Sequence, residues 1–381
     1  LGEYVPADIE KEKSIETESG GSEGLNQAMG KTEQEQIDSF AVSDLLTNRL
    51  EEASCELDIA GFNYLTARHE LEHMLHPDRV VVGSETYPPE IPRLWSIAEK
   101  NPHVIGDYTW TGYDYIGEAG ISIFHYNEDR PEQGWYPDRL AYSGDINLNA
   151  YRRPVSYLRE IAFGLRKAPF IAVERVNRYG QPYKRNSWQY FDAVGSWTFP
   201  GYEGKPARIH VLSKSEEVEL FLNGVSLGRH HVDKSLTVSY ELVYEPGELV
   251  AIGYVSGTET DRMLLRTAGP VSKIKSTVHN DTLRPNGQDA AFVIVDLADA
   301  QGISNHWEEK KISISMTGHG TLLGFGSANP SREGSYQDTV SVTFDGRVMA
   351  VIRSGFESGD ITVMLKAEGC PEKALTIEVK N

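Results

Sequence analysis

The stretch that decides the fold is "RVVVGSETYPPE", residues 79–90. Val80, Val81, Val82 and Gly83 form a short continuous apolar run, the pattern of a strand covered on both faces. The run ends in Ser84-Glu85-Thr86, and Pro88-Pro89 then open a helix. Similar runs lie on either side, "DIAGFNYL" (58–65) and "HVIGDYTW" (103–110). Two helical stretches separate the three. "ARHELEHMLHP" (67–77) puts Leu71, Met74 and Leu75 on one face, and "PEIPRLWSIAEKNP" (89–102) does the same for Ile91, Leu94, Trp95 and Ala98. Both stop at a proline. A further helix fits "RPVSYLREIAFGLRK" (153–167). Continuous apolar strands alternating with helices predict a parallel sheet covered by helices.

When such a sheet closes into a barrel, its functional side chains stand at the C-terminal ends of the strands. Glu85 has that position. The preceding strand ends in Asn63-Tyr64 and the following one in Tyr108-Thr109-Trp110. A lone Glu at a strand end is more often structural than catalytic. Here it is joined by an amide, a phenol and an aromatic platform, the groups that bind a sugar.

From about residue 170 the texture changes to short strands of period two: "ARIHVLS", "EVELFLNG", "LTVSYELVY", "ELVAIGYVSG" and "DRMLLRTA". Asn223-Gly224 marks a tight hairpin. After the linker "RTAGPVSKI" a second set follows, including "DAAFVIVDLAD", "KISISMTG" and "KALTIEVK". Each set has the length of one β-sandwich.

Composition narrows the function classes. The 381 residues carry 37 Lys and Arg against 56 Asp and Glu, a formal charge of −19, which disfavours a nucleic-acid partner. No apolar run of about 18 residues predicts membrane insertion. Cys55 and Cys370, the only two cysteines, make no disulfide framework and leave the compartment open. The chain starts with Leu, which fits a start partway through a longer product, and residues 1–22 are a polar segment.

"DIAGFNYL", "HPDRVVVGSETYP" (76–88) and "VIGDYTWTGYDYIGE" (104–118), in that order, resemble the last three barrel strands of glycoside hydrolase family 2, the β-galactosidase family. "SEEVELFLNGVSLG" (215–228) resembles the immunoglobulin-like domain behind that barrel, and "DAAFVIVDLADAQG" with "GTLLGFGSANP" resembles a further C-terminal sandwich. The resemblance implies a multidomain α/β plus all-β chain: a partial (β/α)8 TIM barrel followed by two immunoglobulin-like β-sandwiches. The expected boundaries are 1–22 for the polar segment, 23–170 for the C-terminal half of the barrel, and 171–269 and 270–381 for the sandwiches. "EGLNQAM" (23–29) would be the fifth barrel strand.

By the same resemblance the chain is part of a retaining exo-β-glycosidase that removes terminal β-galactosides, with β-glucuronidase and β-mannosidase as alternatives. A non-catalytic carbohydrate-binding or structural fragment is the alternative from another class. Retaining chemistry uses two carboxylates about 5–5.5 Å apart. Glu85 matches the nucleophile, Tyr64 its hydrogen-bond partner, Trp110 the aromatic floor and Asn63 a substrate contact. Asp107, Asp114 and Glu118 lie near the same rim. The family's acid/base Glu follows an Asn, and no such Asn-Glu precedes Glu85, so that residue is expected outside this chain. The missing N-terminal part or a homo-oligomer would complete the barrel. No organic cofactor is implied. The resemblance allows Mg²⁺ or Na⁺, for which the sequence offers no ligand set, and it is compatible with a periplasmic or secreted enzyme.

Two motifs point elsewhere. "HELEH" (69–73) fits the His-Glu-x-x-His zinc pattern, with His69 and His73 as ligands, but no third ligand is recognisable and a solvated helix is expected. Arg68, the cation nearest the site, is expected to face solvent. "GHGTLLGFG" (318–326) is glycine-rich but has no helix after it, so turns within a sandwich are expected.

Overall fold

A computed structural model describes residues 34–128 and 135–381. "EGLNQAM" and residues 1–22 lie outside the described residues. Two helices come first, α1 (Gln34–Ala41) and α2 (Asp44–Ser54). The Ser43 hydroxyl caps α2 by accepting the Leu46 N–H at 3.3 Å. Then β1 (Ile59–Asn63), α3 (Arg68–Leu75), β2 (Val80–Thr86), α4 (Ile91–Lys100) and β3 (Val104–Thr109) alternate. The strands form a parallel sheet in the order β1-β2-β3.

One face of this sheet is packed. Ala60, Phe62, Val81 and Val104 meet Ile97 of α4 there. The other face is open, with Ile59 48% and Ile105 57% exposed. The valine run, which reads as buried on both sides, is therefore covered on one side only.

Helix α3 reverses its expected orientation. Met74 is 74% exposed, and the buried residues are Arg68, His69 and Glu72. Arg68 does not face solvent. It donates to Glu72, to the Ala41 carbonyl at 3.0 Å and to Thr47 at 2.9 Å. Arg79 donates to the second Glu72 oxygen at 2.8 Å and to Glu51 at 3.0 Å. This buried charge network ties α3 to the α1–α2 hairpin, and that tie decides which face of α3 turns inward.

The rest is almost entirely β. Helix α5 (Pro154–Ala162) buries Leu158 and Ile161 with Ile91 of α4 against Phe170, Ala172 and Leu212. Those last three belong to the first sandwich. One of its sheets contains Thr237–Val243, Pro206–Leu212, Phe170–Glu174 and Ala193–Val194, in that order. The other contains Val225–His231, Glu217–Leu222, Glu248–Val255 and Thr258–Arg266. Between them lies a core that includes Trp197, Ile209, Leu220 and Tyr244. Asn223 (φ 51°) and Gly224 (φ 81°) make the hairpin turn, both left-handed as a type I′ turn requires. The second sandwich packs a four-stranded sheet on a five-stranded one around Val293, Ile312, Phe325 and Val363. "GHGTLLGFG" supplies its strand Gly320–Gly326.

Candidate functional site

The position of Glu85 depends on a slip in register. Ile59 pairs with Val80 and the pairing steps evenly to Phe62 opposite Gly83; Asn63 then pairs with Glu85 and Ser84 is passed over. Successive strand residues face opposite sides, so a one-residue slip reverses the face of everything beyond it. Burial follows that rule. Val81 and Gly83 are buried, Ser84 and Glu85 are both half-buried, and Thr86 is buried again. In even alternation Glu85 would share the side of Val81 and Gly83. The slip brings it to the open side beside Asn63.

Its neighbours converge there. Tyr64, at φ 60°, donates its backbone N–H to the Glu85 carbonyl at 2.8 Å. Its phenol lies within the electrostatic reach of the Glu85 carboxylate. The Trp188 indole N–H donates to the Tyr64 oxygen at 3.1 Å. Burial pushes the Tyr64 phenol far above its ordinary range; the Trp188 N–H opposes the shift and Glu85 adds to it. The phenol is therefore a proton-bearing donor at every working pH. Asn63 accepts a 2.7 Å hydrogen bond from Ser84. Trp110 donates its backbone N–H to Thr86 at 3.0 Å, and its ring meets Tyr115 and Trp188 edge-on, each at 5.8 Å between centroids. Glu85, Tyr64, Asn63 and Trp110 thus share one end of the sheet.

The acidic residues of the rim are engaged elsewhere. Asp107 accepts from Thr86 at 2.8 Å and lies 4.0 Å from Arg159; burial raises its carboxyl above the usual range. Asp114 is buried, pairs with Arg153 and accepts the Gly144 N–H at 2.9 Å, which fixes the loop beyond β3. Glu118 takes the Tyr115 phenol. That phenol is raised by burial, then by Glu118, then by Glu85.

The His-Glu-x-x-His helix is not a solvated surface at its first histidine. His69 is buried over Gly83, where an added Cβ would lie 3.2 Å from the imidazole and 2.8 Å from Thr86. Burial pushes this imidazole down to about 4. His73 is exposed and stacks on His103 at 4.7 Å. Among the described residues, no group of three or more His, Cys, Asp or Glu side chains is placed to hold a metal ion. No described helix is long and apolar enough to cross a membrane.

Sequence reasoning missed Trp188, Tyr87 and Tyr115. Tyr64, Tyr87 and Trp188 form a buried aromatic cluster, with Tyr64 4.5 Å from Tyr87 and Tyr87 5.3 Å from Trp188. Trp188 lies 124 residues from Tyr64, and only the aromatic density of "SWQYF" (187–191) hints at it. Two cavities lie elsewhere. A groove of about 1050 Å³ runs between α4 and the first sandwich past Trp95 and Tyr190. A polar cleft of about 570 Å³ lies at Arg175, His306 and Asp345. Neither is lined by Glu85, Tyr64 or Trp110.

Comparison with known proteins supplies context. Residues 274–376 match the glycoside hydrolase family 2 C-terminal domain 5, and residues 204–261 match a domain of unknown function, DUF4982. A β-galactosidase of Bacteroides ovatus is 24% identical over 75% of this chain and 30% of its own length. A β-glucuronidase of Formosa agariphila is 23% identical over 49% of this chain and 19% of its own. The crystal structure of a glycosyl hydrolase family 2 member from Bacteroides cellulosilyticus is 36% identical with a TM-score of 0.79, covering 87% of this chain and 43% of that one. A β-glycosidase from Bacteroides vulgatus shares the fold at 19% identity and a TM-score of 0.64, covering 89% of this chain and 49% of its own. The chain spans less than half the length of each of these proteins.

Proposed function

The chain is related to the C-terminal region of glycoside hydrolase family 2 enzymes, and we propose that it contributes the nucleophile half of a retaining exo-β-glycosidase acting on terminal β-galactosides. The observation that carries this reading is the register slip that presents Glu85 beside Asn63, with Tyr64 against its carboxylate and Trp110 across the rim. In this reading β1, β2 and β3 are the last strands of a (β/α)8 barrel, and their open face is the barrel interior.

The chemistry follows from that placement. A Glu85 oxygen attacks the anomeric carbon as the bond to the leaving oxygen breaks, giving a glycosyl ester. The leaving oxygen takes a proton from an acid, and water later cleaves the ester while that group acts as base. We assign no acid/base residue to this chain. Tyr64 holds the nucleophile in place, Trp110 stacks on the apolar face of the sugar and Asn63 binds a hydroxyl. No cofactor enters this scheme, and the partner is a carbohydrate.

A β-glucuronide is the second reading, favoured by the relatives described as β-glucuronidases. It needs a cation at the sugar carboxylate. Arg68, the candidate offered by the sequence, is engaged by Glu72 in the buried network of α3 and does not supply it. A 2-deoxy-2-fluoro-β-galactoside with a dinitrophenyl leaving group tests the proposal, because that leaving group departs without an acid. Peptide mapping is expected to find the adduct on Glu85 and to lose it in Glu85→Gln. Labelling by the glucuronate analogue alone would transfer the assignment to glucuronides. A folded chain that takes neither reagent would defeat the reading.

A further inference from the structure

We propose that Trp188, from the segment beyond the helical unit, is a positioning residue that sets both the Tyr64 phenol and the Trp110 ring of the site. The proposal rests on the reading of Glu85 as nucleophile and extends it to a residue outside the parallel sheet.

A phenol has one proton and accepts through its oxygen, whereas an indole N–H can only donate. Trp188 donates to the Tyr64 oxygen at 3.1 Å, so the Tyr64 proton must go elsewhere. Glu85 is the carboxylate that acts on this phenol, and its strand carbonyl takes the Tyr64 backbone N–H at 2.8 Å, so we take it as the acceptor of the phenol proton. The relay thus has one direction, from Trp188 to Tyr64 to Glu85. The same indole packs edge-on against Trp110 at 5.8 Å and 63°, and against Tyr64 at 5.9 Å and 89°. One buried side chain, 3% exposed, supports two of the three residues that meet around Glu85.

Trp188 is itself held by a built turn. The Asn186 side-chain oxygen accepts the backbone N–H groups of Trp188 and Gln189, each at 3.2 Å. Gln189 accepts the Asn186 N–H at 3.0 Å and donates to the Ile123 carbonyl at 3.2 Å, which ties the turn to the loop beyond β3. The turn fixes the backbone from which the indole reaches Tyr64.

The test has two arms on the full chain. In the first, the Trp188 indole ¹⁵N–¹H resonance, assigned through bonds, is compared in wild type, Tyr64→Phe and Glu85→Gln. Both variants are expected to move it, although Glu85 does not touch Trp188. A resonance indifferent to Glu85→Gln would overturn the relay. In the second, Trp188→Phe keeps an aromatic ring and removes the N–H. The rate of Glu85 labelling at saturating reagent is expected to fall roughly tenfold, with the half-saturating concentration unchanged. A lower melting temperature with an unchanged labelling rate would reduce Trp188 to packing. Should the wild type take no reagent, the glycosidase reading fails, and the indole arm still decides the relay. It decides likewise should Trp188→Phe not fold.

Discussion

At the scale of single residues, the site is a case of polar groups that limit one another's choices. Removing the Tyr64 hydroxyl leaves the buried Trp188 N–H without an acceptor. Tyr64→Phe is therefore expected to cost about 1–3 kcal/mol of stability. It is also expected to slow Glu85 labelling by about tenfold or more, read from thermal unfolding and mass spectrometry of the same sample. His69 makes the opposite kind of claim. Its imidazole is buried neutral and pushed down to about 4, so between pH 6.5 and 4 the unfolded chain binds the proton that the folded chain refuses. Stability from this group is complete above about pH 6.5 and is lost as the pH falls. His69 alone is expected to cost about 2 kcal/mol between pH 7 and pH 5. His69→Leu should flatten the melting-temperature profile over that range; an unchanged slope would show that His69 does not titrate with unfolding.

At the scale of elements, α3 shows what a linear pattern leaves out. Its apolar residues predict an inward face of Leu71, Met74 and Leu75, yet Arg68, His69 and Glu72 are the ones buried. The partners of Arg68 are Ala41 and Thr47, 27 and 21 residues away, and Glu51 lies 28 residues from Arg79. No local periodicity encodes contacts of that separation. Glu72→Leu would leave Arg68 buried without its counter-ion and is expected to cost about 3–5 kcal/mol. Arg68→Met with Glu72→Leu should recover most of that loss in denaturant unfolding. If the double variant is no better than the single, charge is not the cause. The strands were more legible. Val80–Thr86 and its two neighbours carry their signal in adjacent residues, as does the Asn223-Gly224 hairpin. Of the candidate site, the residues placed on those strands, Asn63, Tyr64, Glu85 and Trp110, were legible as neighbours at one end of the sheet; their roles are those proposed above. The site was illegible at Trp188, which reaches it only through the folded path of the chain. The slip at Ser84 was also invisible, because a register is a property of two strands.

At the scale of the whole molecule, one arginine makes the main ion pair between the two sandwiches. Arg175, just past the strand Phe170–Glu174, makes a paired hydrogen bond to Asp345 of the second sandwich at 2.7 and 2.9 Å, and a third to Asp192 at 2.8 Å. Burial works to raise the Asp345 carboxyl, and the Arg175 guanidinium overrides it, holding the group below the usual carboxylate range. Arg139, from the segment before α5, adds a hydrogen bond to the Gly334 carbonyl at 3.0 Å. Geometry separates this pair from the exposed ion pairs of the same sandwich. Lys366 and Glu372 are 53% and 55% exposed, so solvent screens their attraction and Glu372→Ala is expected to change stability by less than about 1 kcal/mol. Asp345→Ala removes an ion pair that is only 20% and 11% exposed. Asp192 still holds Arg175, so the expected loss is about 2–3 kcal/mol rather than the full penalty of an unpaired buried charge. Because the lost contact lies between units and each sandwich has its own core, calorimetry should then resolve the second sandwich as a separate transition. A single transition, shifted no further than in Glu372→Ala, would mean that the apolar contacts alone hold the units together.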